Sequence, residues 1–267
     1  MITTENNLRL AVLIDADNAP RDSLKSIMEE IAIYGTPTIK RIYGDWTNPH
    51  IGGWKESLLE NAVTPIQQYG YTTGKNSTDS AMIIDAMDIL YSGRTDGFVL
   101  VSSDSDFTRL AIRLREAGMY VIGIGERKTP SPFIVACDKF VYIEVIRERM
   151  KNVENEAKTA AKSAKKPTKT AAPQDTSQNK SAGKKVPQRI EELIADSIAD
   201  LADDDGFCAL GALGNLLIKK QPDFDPRSFG SAKLSTMLKG LPRFELEVRP
   251  GEDMHSKPMY VKDKKAQ

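Results

Sequence analysis

Two apolar segments of this chain each end in a group of short polar side chains. The segments, at 10–14 and 97–101, have the continuous apolar character of strands that are buried on both faces of a parallel sheet. The polar residues are Asp15, Asp17 and Asn18 after the first segment, and Ser102, Asp104 and Asp106 after the second. In such sheets, ligands bind outside the carboxyl ends of the strands. The sequence therefore predicts a shared ligand site at the ends of these two strands.

A third acidic position, Asp79, follows Thr78 at the start of a predicted helix. Carboxylates brought to ~4 Å from one another repel by several kcal/mol, so a protein that gathers Asp15, Asp79 and Asp104 needs a cation between them. Hard carboxylate oxygens favour Mg²⁺ or Mn²⁺, and the two histidines lie in no zinc-binding pattern. An ion held in this way can activate water and neutralise charge on a phosphodiester.

Each acid taken alone has a simpler explanation. Asp17 and Asp106 suit helix N-caps, and Asp79 suits a first turn, where its charge complements the helix dipole. Asp85 and Asp88 are expected on an ordinary helix face. The joint position of several acids at adjacent strand ends is what favours the metal site over capping.

Strand and helix patterns alternate through the first 150 residues, which predicts an α/β domain with a mostly parallel sheet and helices on both faces. The predicted strands are Leu10–Asp15, Thr38–Tyr43, Thr64–Gln68, Gly97–Ser102, Tyr120–Ile124 and Val141–Glu144. The predicted helices are Asp22–Tyr34, Trp54–Asn61, Ser80–Tyr91, Asp106–Ala117 and Pro132–Asp138. Gly35, Gly93 and Gly118 stand where helix C-terminal caps are expected.

A net charge of zero conceals an uneven distribution along the chain. Residues 1–150 carry 16 Lys and Arg against 20 Asp and Glu, whereas residues 151–187 carry 9 Lys against 3 acids. The second segment is rich in Lys, Ala, Thr and Ser, so it cannot bury enough apolar surface to fold and is predicted to be a disordered linker. It is either a solvated spacer or a spacer whose lysines also hold nucleic acid.

Residues 188–264 are predicted to form a second, smaller domain. Three amphipathic helices are followed by two short strands, which is the order of a winged helix. The resulting organisation is a first domain at 8–150, a linker at 151–187 and a winged-helix (α+β) domain at 188–264. The chain shows no run of ~20 apolar residues and no secretory signal, and its two cysteines are far apart, so a cytoplasmic protein without a membrane partner is expected.

Three motifs of the first domain, "LIDADNAP", "KNSTDSAMIIDAMD" and "FVLVSSDSDFTRLAIRLREAGMYVIGIG", resemble the NYN domain of the PIN-like nuclease superfamily. The resemblance implies a Rossmann-like parallel sheet and a metal-dependent ribonuclease that uses Mg²⁺ or Mn²⁺. By position, the implied metal-binding and catalytic residues are Asp15, Asp79, Asp104 and Asp106. The implied orienting or substrate-binding residues are Asn18 and Ser102, together with Lys75, which is either a phosphate contact or a solvated loop lysine.

The C-terminal segment "DDGFCALGALGNLLIKKQPDFDPRSFGSAKLSTMLKGLPRFELE" resembles the OST-HTH (LOTUS) module, which is associated with RNA-related proteins. The resemblance implies RNA as a partner, with phosphate contacts that are otherwise plain surface residues. These residues are Lys219, Lys220, Arg227, Lys233 and Lys239. A homo-oligomer or a protein partner that binds through this module stays open as an alternative.

The first alternative function is a phosphatase of the haloacid dehalogenase type, in which Asp15 would be the nucleophile. That family also begins with a strand followed by Asp-x-Asp. The sequence after Asp17 lacks the Thr or Val that is usual there, and no paired Asp closes the site late in the domain.

The second alternative is an adaptor that binds RNA without cutting it. The expected acids are all present in this chain, so the sequence offers no sign of a lost activity. Their presence does not by itself establish turnover.

Overall fold

The computed structural model describes residues 8–69, 77–152, 186–249 and 258–265. The chain divides into two compact units, at 1–160 and 161–267, and each is described by itself. Most of the predicted linker at 151–187 lies outside the described residues. Among the residues described, no helix combines the length and apolar character that crossing a membrane requires.

A six-stranded parallel sheet forms the centre of the first unit, with the strand order β3-β2-β1-β4-β5-β6. The strands are β1 (Leu8–Asp15), β2 (Gly35–Gly44), β3 (Thr64–Gln67), β4 (Gly97–Val101), β5 (Tyr120–Gly125) and β6 (Lys139–Tyr142). The helices are α1 (Leu24–Ile31), α2 (Lys55–Asn61), α3 (Ser77–Tyr91), α4 (Thr108–Glu116), α5 (Ser131–Ala136) and α6 (143–152). The predicted α/β architecture with a parallel sheet is confirmed.

Successive residues of β1 enter two separate apolar clusters, one on each face of the sheet. Val12 and Ile14 belong to the cluster that contains residues of α1, α2 and α6, whereas Ala11 and Leu13 belong to the cluster of α3, α4 and α5. All four side chains are buried. Complete burial of a Leu or Ile contributes about 1.5–3 kcal/mol, so β1 is anchored on both faces and the position of its last residue, Asp15, is fixed.

The structure differs from the prediction at the last strand and at one glycine. The strand predicted at Val141–Glu144 is β6 (Lys139–Tyr142), and α6 begins directly after it, because the apolar run is continuous and gives no change of period at the strand end. Gly35 begins β2 instead of capping a helix. A Cβ at this position would lie 2.3 Å from the Leu8 carbonyl oxygen, so the close approach of the two strands requires glycine.

The second unit is a small α+β domain with a three-stranded antiparallel sheet in the order β7-β9-β8. Its elements are α7 (Gln188–Ala199), β7 (Phe207–Ala209), α8 (Leu210–Lys220), α9 (Leu234–Lys239), β8 (Phe244–Val248) and β9 (Met259–Asp263). Ile190, Ile194 and Ile198 of α7 are buried in its core, as the amphipathic pattern predicts, whereas Leu201 lies beyond the helix and is 36% exposed. The three helices and the hairpin agree with the winged-helix prediction, and β7 is an additional strand of three residues.

Candidate metal centre

The carboxyl ends of β1 and β4 lie side by side at the point where the chain changes direction across the sheet. From β1 the chain proceeds outward through β2 to β3, and from β4 it proceeds in the other direction through β5 to β6. Such a switch point opens a crevice outside the strand ends. Asp15 is the last residue of β1, and Ser102 directly follows β4, so both polar groups predicted from the sequence meet at this crevice.

Asp15 is 1% exposed, and its carboxylate accepts three hydrogen bonds. Its Oδ1 accepts from the Asp17 backbone N–H at 3.0 Å, while its Oδ2 accepts from Asn18 Nδ2 and from the Ser102 hydroxyl, both at 2.8 Å. A carboxylate offers about four lone-pair positions. The three donors therefore hold Asp15 in one orientation and leave one position on Oδ1 for another partner.

Ser102 connects Asp15 to the second acidic segment. Its hydroxyl oxygen accepts a hydrogen bond from the Asp104 backbone N–H at 3.1 Å while its proton is donated to Asp15. Asp104 in turn accepts from the Asp106 backbone N–H at 2.9 Å and caps the short 3-10 helix at Ser105–Phe107. One buried hydroxyl thus fixes the geometry between the two strand ends.

Asp79, Asp104 and Asp106 form a cluster in which one carboxylate oxygen from each residue lies within 4.8 Å of the others. Asp79 stands in the first turn of α3, and the other two acids follow β4. Asp15 is not a member of this close group, although its charge acts on Asp79. Three carboxylates at this separation match the oxygen donor set of a hard divalent cation such as Mg²⁺ or Mn²⁺.

The electrostatic cost of the cluster is visible at Asp79. Burial, followed by the negative charges of Asp15, Asp104 and Asp106, raises the pKa of Asp79 to about 6. The pKa of Asp17 is also raised, first by burial and then by Asp15, although a hydrogen bond with Thr78 opposes the shift. A cation in the crevice would relieve this repulsion, and its binding near pH 6 would release a proton from Asp79.

Two structural roles at this edge were not assigned from the sequence. Asp17 hydrogen-bonds Thr78 and so connects the end of β1 to the first turn of α3, next to Asp79. Asp85, which was expected on an ordinary helix face, accepts hydrogen bonds from Arg41 and from the fully buried Tyr43 of β2. A buried tyrosine hydroxyl needs a polar partner, but the sequence does not show that Tyr43 is buried or that Asp85 lies beside it.

The Asp85 contacts hold the middle of α3 against β2, and they change the ionisation of Tyr43. Burial, together with the Asp85 carboxylate, raises the pKa of Tyr43 well above its usual value. Tyr43 therefore stays protonated and donates to Asp85. Since α3 also carries Asp79, this buried contact helps to fix the position of one member of the acidic cluster.

The remaining predicted contact residues lie elsewhere. Lys75 falls outside the described residues. In the second unit, Lys220 pairs with Asp200 at 2.6 Å and Arg227 pairs with Asp225 at 2.7 Å. The exposed lysines of this unit that were also predicted to contact phosphate are Lys219, Lys233 and Lys239.

Comparison with known protein families gives two matches. The NYN domain matches residues 9–144, and the OST-HTH/LOTUS domain matches residues 184–255. A comparison with curated proteins gives no significant match.

Three solved structures are similar to parts of the chain. A protein of unknown function from Vibrio parahaemolyticus is 20% identical, with a TM-score of 0.43, over 53% of this chain and 96% of its own. An uncharacterized protein from Nitrosomonas europaea is 31% identical, with a TM-score of 0.29, over 37% of this chain and 92% of its own. A fragment of a Chromobacterium violaceum protein is 26% identical, with a TM-score of 0.26, over 32% of this chain and 87% of its own.

The two family matches agree with the division of the chain. The NYN match lies within the first unit and spans slightly more than half of the chain, and the OST-HTH/LOTUS match lies within the second unit. The strand ends that carry Asp15, Ser102 and Asp104 fall inside the NYN match. The protein therefore belongs to the NYN domain family and carries a C-terminal OST-HTH/LOTUS domain.

Proposed function

We propose that the protein is a metal-dependent endoribonuclease, a hydrolase that cuts RNA phosphodiesters at a Mg²⁺ or Mn²⁺ site in the NYN domain. The observation that carries the proposal is the convergence of Asp79, Asp104 and Asp106 at the switch-point crevice beside Asp15. NYN domains are typically nucleases and OST-HTH/LOTUS domains bind RNA, so the two family matches support an RNA-related role.

The residues of the crevice have separate roles in this proposal. Asp79, Asp104 and Asp106 would hold the cation directly, and Asp15 would complete the site through the remaining lone pair of Oδ1. Asn18 and Ser102 hold the Asp15 carboxylate in place and act as positioning residues. When bound, a divalent ion would supply a water of lowered pKa and would neutralise negative charge on the phosphodiester.

The OST-HTH/LOTUS domain would bring RNA to the NYN domain. We propose domain limits at 8–150 and 188–264, joined by the lysine-rich linker at 151–187. A tether of this kind raises the local concentration of RNA near the crevice without any additional contact there. Lys219 and Lys233, which are exposed, remain proposed phosphate contacts, whereas the guanidinium of Arg227 is already occupied by Asp225.

The phosphatase alternative needs an Asp15 oxygen that can attack a substrate. Asp15 is buried, and both of its oxygens accept hydrogen bonds. These hydrogen bonds leave a single acceptor position on Oδ1, which the proposed cation would take, so the contacts suit an acid that stabilises charge more than a nucleophile.

The experiment that tests the proposed function is an RNA cleavage assay with and without divalent cations. The full-length protein is incubated with single-stranded and structured RNA in Mg²⁺ or Mn²⁺, and in parallel with excess chelator. We expect cleavage in both metals and its loss in chelator, followed by recovery when the metal is restored. The products are resolved by gel electrophoresis.

Each other outcome of the assay favours a different account. Cleavage that persists in chelator would contradict the metal mechanism. RNA binding without cleavage in either metal would favour the adaptor, and release of phosphate from a small phosphomonoester without any RNA cleavage would favour the phosphatase.

A further inference from the structure

The loop that follows β5 runs beside the acidic segment that follows β4. The Ser102 backbone N–H donates to the Ile124 carbonyl at 3.1 Å, and the Glu126 backbone N–H donates to the Ser103 hydroxyl at 2.9 Å. Ser103 directly precedes Asp104 in the chain. The loop at 126–130 is therefore fixed at the same edge of the sheet as the candidate metal centre.

Arg127 stands in this loop and is held from two sides. Its backbone N–H donates to Glu144 Oε1 at 3.0 Å, and its guanidinium lies over the Tyr142 ring, with the guanidinium carbon 5.1 Å from the ring centroid. A cation stacked on an aromatic ring in this way keeps one face covered and its hydrogen-bond donors at the edge available. The arrangement pre-organises an exposed positive group.

Among the residues that the structure describes, no carboxylate lies within ion-pair distance of the Arg127 guanidinium. The guanidinium itself contacts the Tyr142 ring, whereas Glu144 accepts a hydrogen bond from the backbone N–H of Arg127. The neighbouring Lys128, in contrast, pairs with Glu126 at 2.8 Å. Arg127 thus keeps its charge available for an anion, at the rim of a crevice that otherwise carries negative groups.

The position of Arg127 suits a particular part of a nucleic acid chain. Tyr142 is the last residue of β6, which is two strands from β4, so its backbone lies roughly 10 Å to the side of the strand end that precedes Asp104. A guanidinium held over Tyr142 is therefore displaced to one side of the acidic cluster, where it suits a neighbouring phosphate better than the phosphate bound at the cation.

We propose that Arg127, stacked on Tyr142, binds a backbone phosphate of single-stranded RNA that flanks the scissile phosphate. The inference rests on the proposed function, since it takes the acidic cluster as the place of cleavage. An arginine fork matches the geometry of a phosphate. The contact fixes the register of the strand and is independent of base sequence.

The test uses full-length protein with Asp104→Asn, so that binding is measured without cleavage. Into this background we introduce Arg127→Gln, Arg127→Lys and, as a matched control, Arg94→Gln. Arg94 is an exposed arginine in the loop before β4, at the opposite edge of the sheet. Binding of a fluorescent short single-stranded RNA is followed by anisotropy at several salt concentrations and constant Mg²⁺, and thermal melts confirm that each variant is folded.

We expect Arg127→Gln to weaken binding about tenfold, because a charge-assisted hydrogen-bonded pair is lost. The slope of log affinity against log salt should fall by about 0.7, the value for one phosphate contact on a single strand. Arg127→Lys should keep most of the slope and regain part of the affinity, since the charge remains but the planar fork is lost. Arg94→Gln should bind like the background protein.

Equal affinity and equal salt slope for Arg127→Gln and Arg94→Gln would overturn the inference, as would a background protein that does not bind the short RNA. The proposed ribonuclease activity can fail while the Arg127 contact holds. If wild-type protein never cuts RNA, yet Arg127→Gln weakens binding and Arg94→Gln does not, the phosphate contact stands and the ribonuclease assignment falls.

Discussion

Replacement of Asp104 by Asn is expected to lower kcat/KM for RNA cleavage by about a thousandfold, because a ligand that contributes several kcal/mol of charge stabilisation is lost. Asp104 is one of the three acids of the close cluster. An asparagine oxygen can still accept the hydrogen bond from the Asp106 backbone N–H, so the local turn should be preserved. The expected loss is therefore electrostatic, and the measurement is the rate of cleavage of a labelled RNA at saturating Mg²⁺.

Asp88→Asn is the matched control for that experiment. Asp88 is an exposed acid on α3, the helix that also carries Asp79, and it lies outside the cluster. Both substitutions remove one negative charge from the first unit, and Asp88→Asn should leave kcat/KM within about twofold, as surface changes of this kind do. If Asp104→Asn retained activity within tenfold of the control, the acidic cluster would not carry the chemistry.

The second large effect is a gain of stability. Asp79→Asn should raise the melting temperature of the metal-free first unit at pH 7 by about 3–5 °C, which corresponds to relief of repulsion on the order of 1 kcal/mol after allowance for solvent screening. Burial, followed by the charges of the neighbouring acids, raises the pKa of Asp79 to about 6. The neutral amide carries no charge, so it removes the energetic cost of keeping a partly buried carboxylate beside other carboxylates. Trp46 and Trp54, the two tryptophans of the chain, both lie in the first unit, so their fluorescence follows its unfolding separately.

The contribution of Asp79 to the stability of the first unit changes with pH in a definite direction. A group whose pKa is raised in the folded state binds its proton more tightly when folded, so stability from this group is present at low pH and is lost as the pH rises through about 6. The difference in melting temperature between wild type and Asp79→Asn should therefore be largest at pH 7 and should shrink progressively as the pH falls toward 4. Adding Mg²⁺ at pH 7 should raise the melting temperature of wild type more than that of the variant.

A metal-free wild type that melted at the same temperature as Asp79→Asn across this pH range would contradict the repulsion assigned to the cluster. If wild type alone were less stable at pH 5 than at pH 7, the assigned repulsion would still stand, because other acids lose favourable contacts when they are protonated. Asp96 is one of these, since Arg9 lowers its pKa to about 2. The comparison between the two proteins isolates Asp79 from that background.

The arrangement of the strand ends could be predicted from sequence because it depends on local pattern and topology alone. Asp15 follows a continuous apolar run, and so do Ser102 and Asp104. Alternating strands and helices require a parallel sheet, which brings such ends to one edge. The neighbouring positions of β1 and β4 then follow from the usual winding of these folds.

The division of roles among the acids could not be predicted in the same way. Spacing does not reveal that the Asp15 carboxylate already receives three hydrogen bonds, or that Asp106 joins Asp79 and Asp104 in the close group. Those distances depend on how α3 lies across the strand ends. That position is set in part by Asp85, whose partners are distant in sequence.

Arg127 was missed for a related reason. Its neighbour Tyr142 comes from a different strand, and a single arginine between Glu126 and Lys128 reads as an ordinary charged loop. The shift of the last strand to Lys139–Tyr142 is what brings the Tyr142 ring to the end of β6, next to this loop. Tyr142 falls inside the predicted strand as well, but nothing in the sequence shows that its ring lies beside this loop.

The most direct test of the central claim, that these acids share a cation, is a calorimetric titration of Mn²⁺ into metal-free wild type, Asp104→Asn and Asp88→Asn. The account predicts saturable binding to wild type and to Asp88→Asn, and affinity at least about tenfold weaker for Asp104→Asn. Near pH 6, the heat should also depend on the buffer, because Asp79 releases a proton. Equal Mn²⁺ affinity in all three proteins, or no saturable binding to wild type, would contradict the account.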